Sequence, residues 1–350
     1  MAIAASGAVS FSDLRTEFSG AGAISFGDLY RGGTLVKGNA ANNTATNLAA
    51  SVPASGTINF TNFRGAARGW RKTYSSGAEN QSASAIFGTD YGIDYPKEIV
   101  INSGVTLGAT STSDEALEIS TGGVGSITIT NNGTIIGKGG ASNAVGGDAF
   151  EAFVACTFVN NGFVYGGGGG GGNGGNGGGG SYTSSSVSTK GPNNRYHWTI
   201  TPSVAEWNNV SLGGCGGSGT TCQSGKYRRV GSGVYGSVYV EERSYAIRRT
   251  INSTTNTSGG SGGSGGRGAG YNQTVQSGSN GSNGGTNAGK GGTGGSGGGF
   301  GASGSNGSNG NNGNRTNGSG GGSGKAAGKH IRGLSFVTFT NNGTVAGGTA

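Results

Sequence analysis

The sequence predicts an all-β protein in three parts. These are an N-terminal region of short strands, a β-solenoid-like or sandwich middle, and a glycine-rich C-terminal region of polyglycine II type. Three observations carry this. Two separate sets of segments repeat short stretches in which apolar and polar residues alternate, the period of a strand. Glycine accounts for 83 of the 350 residues, and much of it recurs at every third position. Leu, Ile, Val and Phe together make up only about a sixth of the chain, too little for a large aliphatic core. With 4 prolines the chain cannot be collagen-like, because that fold needs about a fifth of its residues to be proline or hydroxyproline.

The first set of repeats comprises Ser6–Arg15, Gly22–Arg31 and Ser55–Arg64. In each copy an apolar pair, Val9/Phe11, Ile24/Phe26 or Ile58/Phe60, alternates with small polar residues. Ser12-Asp13, Gly27-Asp28 and Thr61-Asn62 follow with turn or N-cap chemistry. Each copy therefore reads as a short strand leading into a tight turn or a single helical turn. The second set is Ile127–Gly137, Cys156–Gly166 and Val337–Gly347, each with Asn-Asn-Gly between two short apolar runs. Asn-Gly between alternating segments signals a hairpin. Repeats in which each unit adds one rung, with Asn and Gly at left-handed corners, suit a solenoid equally. Ile99–Gly108 has the same character, and residues 95–165 are assigned to strands.

Glycine occupies 289, 292, 295, 298, 301, 304, 307, 310 and 313, and again 259, 262, 265 and 268. A left-handed helix with three residues per turn would line one face with these glycines, and its amides would have to pair between helices. Packing backbone on backbone would offset the ordering cost of glycine. Between the tracts lies an insert of different composition, about 181–258. It carries Trp198 and Trp207, six tyrosines and His197, and its segment 227–251 reads as one or two strands with a turn near 231–236. The domain division is thus 1–70, 71–165 and 166–350, with the insert inside the last.

Charge is unevenly placed. No carboxylate follows Glu242, whereas the cations continue to Arg332. A basic half without acids is drawn to anionic surfaces such as phosphorylated glycans or lipopolysaccharide. The three cysteines, Cys156, Cys215 and Cys222, are too few for a disulfide framework, and Cys215 with Cys222 is a possible bridge. The two histidines stand far apart without a Cys pair at zinc spacing, so no metal and no cofactor is expected. Gly259–Gly263 matches a nucleophile elbow but lacks the strand before it and the helix after it. No phosphate-binding loop occurs, and the glycine spacings of dinucleotide sites lack their strand–helix context. Asp90, Asp94, Asp114, Glu115, Glu118, Asp148 and Glu151 could supply paired carboxylates, but they read as turn and surface residues. The chain is not expected to be an enzyme. The N-terminus has no basic region followed by an apolar run, so no signal peptide is read, and no run approaches a membrane helix.

Three features resemble one family. Ser6–Leu14 and Asp28-Leu-Tyr-Arg-Gly-Gly33 are similar to the opening of tailed-bacteriophage virion proteins. Asn131–Gly140 looks like phage tail-fibre and tail-tip proteins with glycine-rich C-terminal regions. The phased glycine tracts interrupted by aromatic sequence resemble the fibre-tip adhesins of T-even-like phages, in which packed polyglycine II helices hold out variable recognition loops. The resemblance implies a virion tail protein, made in the host cytoplasm and oligomeric in the particle, whose partners are other tail proteins and a host-surface glycan, lipopolysaccharide or outer-membrane protein, not nucleic acid. Virion attachment then falls to the repeated Phe11, Phe26 and Phe60. Receptor binding falls to Tyr196, His197, Trp198, Trp207 and Arg228, where rings and cations stand together. The alternative is a purely structural baseplate or tail-tip part that binds no receptor. A third class, a cell-surface or secreted glycine-rich protein, would need the leader that is not read.

Overall fold

A computed structural model of the protein describes residues 3–18, 24–33, 35–36, 45–190, 195–200, 239–244 and 247–350, with side chains described outside 187–250. The N-terminal repeats differ from the strand reading. Phe11–Phe18 and Phe26–Leu29 are α-helical and Phe60–Phe63 is a 3-10 turn, while Val9, Ile24 and Ile58 lie outside any strand. The cause is capping. Ser25 and Asp28 close a reciprocal box, as do Asn59 and Asn62, and the Asp13 carboxylate accepts both the amide and the hydroxyl of Ser10 at 2.7 and 2.8 Å. A cap satisfied three residues ahead commits the backbone to a helical turn and outweighs a two-residue alternation. The only strand described in this region is Thr46–Asn47. A separate small core of Ile3, Leu14, Phe18, Leu29, Val36, Ala49, Val52, Phe63 and Ala66 holds the turns together.

From residue 70 the chain winds into five coils. Each of the first four gives one strand to each of three sheets of parallel coil strands, and the fifth gives one to the first and second sheets. The first sheet stacks Trp70–Tyr74, Lys97–Ile101, Ile127–Asn131, Cys156–Asn160 and Val337–Asn341 in register. The second stacks Ala78–Glu79, Thr106–Gly108, Thr134–Ile136, Phe163–Tyr165 and Thr344–Ala346. The third stacks Gln81–Ser82, Leu117–Ile119, Phe150–Ala152 and Ile331–Arg332. Alternation turns one side chain in two inward. Ile99, Ile129 and Phe158 from the first sheet, Leu107, Ile135 and Val164 from the second, and Leu117, Phe150 and Ile331 from the third are each 0% exposed. The fold is all-β, with few helices.

The Asn-Asn-Gly segments are not hairpins. The strands flanking each one belong to different sheets and pair with equivalent strands of neighbouring coils. The asparagines stack in two ladders. The Asn131 amide donates to Asn160 and Asn160 to Asn341, at 2.8 and 2.7 Å, and Asn342 to Asn161 and Asn161 to Asn132, at 3.0 and 2.9 Å. A side-chain amide is donor and acceptor at once, so identical residues in register satisfy one another at every level. Between the second and third sheets the coils vary in length. Asn80 alone makes that corner in the first coil, 109–116 in the second, 137–149 in the third and 166–330 in the fourth. The whole glycine-rich region is an excursion from one corner of one coil.

That excursion is a bundle of extended tracts, hydrogen-bonded between neighbours and not within themselves. Along the central tract, Gly168, Gly171, Gly174 and Gly177 donate to carbonyls of 260–269, Gly169, Gly172, Gly175 and Gly178 to carbonyls of 302–311, and Gly167 and Gly170 to Gly147 and Ala144, all at 2.7–3.0 Å. Successive residues thus address three neighbours in rotation. Carbonyls of the same tract accept from 289–298, from 319–328, and from Gly140 and Asn143. Residues 166–172 are unbroken glycine because every direction is occupied; a Cβ on Gly170 or Gly171 would collide with the carbonyl oxygen of Ala141 or Gly295. Past Ala144 the third-coil excursion has turned back, and Asn173 and Asn176 occupy the uncovered side, exposed. Outer tracts follow the same rule. In 289–298 every third residue (Lys290, Thr293, Ser296) is not glycine, and in 302–313 only every third residue (304, 307, 310, 313) is. The unbroken run expected over 289–313 is in fact two tracts joined by a turn at 299–301, where Gly301 takes φ +61 against the Gly347 backbone.

Candidate attachment and recognition surfaces

The three capped turns converge. Phe11, Phe26 and Phe60, each the first residue of its turn, bring their rings together at centroid distances of 5.2, 5.0 and 6.1 Å. Phe11 and Phe26 are 38% and 39% exposed, and Phe60 is half-buried and packs with Val9, Ile24 and Ile58 on the N-terminal core. Three copies of one short motif therefore present three equivalent aromatic rings around a common point.

The insert leaves the glycine bundle as a ribbon. Gly180–Lys190 pairs antiparallel with Ile247–Thr257 over its whole length, and Arg195–Ile200 pairs with Tyr239–Ser244. Residues 182–186 and 251–256 are exposed. Tyr196, His197 and Trp198 are consecutive in the Arg195–Ile200 strand, opposite Arg243, Glu242 and Glu241 in register. Trp207, Arg228, Cys215 and Cys222 lie outside the described residues, as does the turn expected near 231–236. The structure thus brings three of the five receptor-binding candidates into one strand.

The family model for the phage tail fibre adhesin Gp38 matches residues 61–254, more than half of the chain. The chain belongs to the phage tail fibre adhesin Gp38 family. The match runs from the first coil through the central glycine tract and the insert, and it begins just after Phe60. Among solved structures, the gp37-gp38 adhesin tip complex of the bacteriophage S16 long tail fiber is similar at 17% identity, covering 84% of this chain and 87% of that one with a TM-score of 0.36. No curated protein matches the sequence.

The adhesin also contains a charged cluster that sequence distance concealed. Glu115, Asp148 and Glu151, expected as turn and surface residues, meet around Arg332 at 3.8, 3.5 and 3.4 Å, and their side chains are only 12–14% exposed. Stacking of Leu117, Phe150 and Ile331 in the third sheet brings them together. Asp148 also accepts the Lys329 amide at 2.5 Å, at the point where the chain returns from the glycine bundle. Burial pushes the Glu115 carboxyl up to about 7, and Glu151 and Asp148 add to the shift. The fold therefore prefers protonated Glu115. Its contribution to stability is fully present below the ordinary value of 4.5 and is lost as pH rises through about 7. Melting temperature should fall across that window, and Glu115→Gln should flatten it there; an unchanged slope in the variant would place the titration elsewhere.

Among the described residues no group of His, Cys, Asp and Glu is placed to hold a metal ion, and no helix is long and apolar enough to cross a membrane. Cys156 is buried with a free thiol, pushed up to about 12 by burial, and so is unreactive at neutral pH.

Proposed function

We propose that this chain is the host-binding tip of a phage tail fibre, divided as 1–70 for attachment, 71–165 as a β-solenoid-like shoulder, and 166–350 as a polyglycine II-type scaffold that displays the insert 181–258. The observation that carries this reading is where the insert leaves the scaffold. The central tract starts at the fourth coil and rises about 3.1 Å per residue in a polyglycine II geometry, so Gly180 emerges roughly 40 Å from the coils. Glycine tracts offer few side chains for specific contact, whereas the insert concentrates rings and cations. Tyr196, His197, Trp198, Trp207 and Arg228 suit a host-surface sugar bearing phosphate or carboxylate, by stacking and by forked hydrogen bonding. The same tools serve for lipopolysaccharide or an outer-membrane protein. No residue is assigned a catalytic role.

At the other functional end, the Phe11, Phe26 and Phe60 trio favours another tail protein as partner. Three equivalent rings around one point fit the end of a partner with threefold symmetry, and one chain supplies all three.

The test of recognition uses single alanine changes at the five insert positions. Each should slow adsorption of particles to host cells by about tenfold, the effect of losing one well-packed ring or charged contact, with melting temperature and particle assembly unchanged. Normal adsorption in all five variants would favour the structural alternative, in which the insert contacts other virion proteins.

A further inference from the structure

Among the described side chains the ribbon shows no core of its own: residues 182–186 and 251–256 are exposed, and an isolated two-stranded ribbon is marginally stable in water. What fixes its direction must therefore lie where it leaves the scaffold. Two short turns flank that point, one at 285–288 and one at 313–316, each joining two glycine tracts. From the second, Asn314 grips Ser181 in both directions: its Oδ1 accepts the Ser181 amide at 2.8 Å and its Nδ2 donates to the Ser181 carbonyl at 2.9 Å. From the first, Asn287 donates to the same carbonyl at 3.0 Å. Asn287 holds φ +59, a left-handed conformation that asparagine tolerates better than most residues. The turns are tied together by the Asn314 amide on the Asn287 carbonyl at 3.0 Å. On the partner strand the Thr257 hydroxyl donates to the Thr286 carbonyl at 2.7 Å, and Gly285 leaves room for Thr257, since a Cβ there would press on its side chain.

We infer that Asn287 and Asn314 are positioning residues for recognition: they fix the exit direction of the ribbon, and so the orientation of the insert, without holding the glycine scaffold together. This rests on the reading of the insert as the host-binding element. The scaffold's own hydrogen bonds run backbone to backbone between tracts, supplemented by side chains such as Asn173, Asn176, Ser282 and Asn306. The side chains of Asn287 and Asn314 take part in neither set. Each is a polar side chain bonded at the surface to the root of the ribbon, so its loss leaves the tracts paired.

The test is Asn287→Ala with Asn314→Ala in the full chain, read by amide hydrogen exchange and by adsorption of particles carrying it. Exchange over 181–186 and 251–257 should accelerate by at least about tenfold, since three exposed side-chain hydrogen bonds to Ser181 are lost, while 168–178 keeps its protection and adsorption slows. Asn314→Asp keeps the acceptor for the Ser181 amide and loses the donor, so it should fall between wild type and the double variant. Unchanged exchange at the root, or faster exchange with normal adsorption, overturns the assignment, and so does loss of protection in 168–178 in both variants. Deletion of 182–256 separates the two ideas: particles that still adsorb without the insert would refute recognition by the insert, while root exchange in the asparagine variants judges the positioning.

Discussion

Gly171→Val unfolds the glycine scaffold. Gly171 sits where the central tract is surrounded on every side, and a Cβ there would collide with the Gly295 carbonyl and the adjoining backbone. Nothing nearby is a flexible side chain that could move aside. The tract could accommodate valine only by parting from its neighbours, which would leave the buried amides of 168–172 unpaired. The expected destabilisation is at least about 3 kcal/mol, with loss of protease resistance over 166–328. The matched control is Thr293→Val, on the uncovered side of an outer tract, where a change within about 0.5 kcal/mol is expected. Thermal melts and limited proteolysis of both variants decide it. Equal behaviour of the two would mean that the tracts are not held by close backbone contact.

Replacing Phe11, Phe26 and Phe60 together by serine should produce a folded chain that no longer enters particles. Phe11 and Phe26 are more than a third exposed, and the core beneath them, Leu14, Phe18, Leu29 and Phe63, is 0–2% exposed; of the three only Phe60 also packs on that core. Folding therefore loses little beyond the share of Phe60, which the single Phe60→Ser variant measures. Docking loses three rings worth about 1.5–3 kcal/mol each when fully covered, so association with the partner should weaken by about 10³-fold or more. The amount of this chain in purified particles gives the answer. Normal incorporation of the triple variant would remove the trio from the attachment surface, and a shifted melt would show that it belongs to the local core instead.

What the sequence disclosed follows a physical rule. Patterns that repeat at short period were legible, because each residue type reports its own surroundings. Period-three glycine marks the sides of a tract that are covered, and the alternation of Ile127, Ile129 and Asn131 marks the inward face of a strand. Where two local signals competed, the stronger chemistry decided. At Ser10, Ser25 and Asn59 the cap made a helical turn out of what alternation read as a strand. At Asn131, Asn160 and Asn341 the ladder between coils prevailed over the hairpin. Features that depend on distant residues meeting were not legible. The third-sheet strand Ile331–Arg332 is two residues long and returns after the whole glycine excursion, so neither the interrupted fourth coil nor the Glu115–Arg332 cluster could be read in advance. The strand that carries Tyr196, His197 and Trp198 was seen only as part of an aromatic insert, since the insert's pairings join segments roughly 40 to 80 residues apart and its root is held by asparagines that look like ordinary turn residues.

The direction of the hydrogen bonds between the glycine tracts bears on how the tip carries load. They run across the tract axes, and the ribbon strand Gly180–Lys190 continues directly from the end of the central tract. If the insert binds the host as proposed, a pull applied at the ribbon bears first on the central tract and loads it against its neighbours. Every amide from Gly167 to Gly178 that bridges to another tract then resists at the same time. A hairpin pulled at its open end yields one bond after another, whereas a tract bridged along its length shares the load among its bonds. Under the proposed reading the scaffold would therefore serve as a tether that passes tension from the bound surface back to the coils.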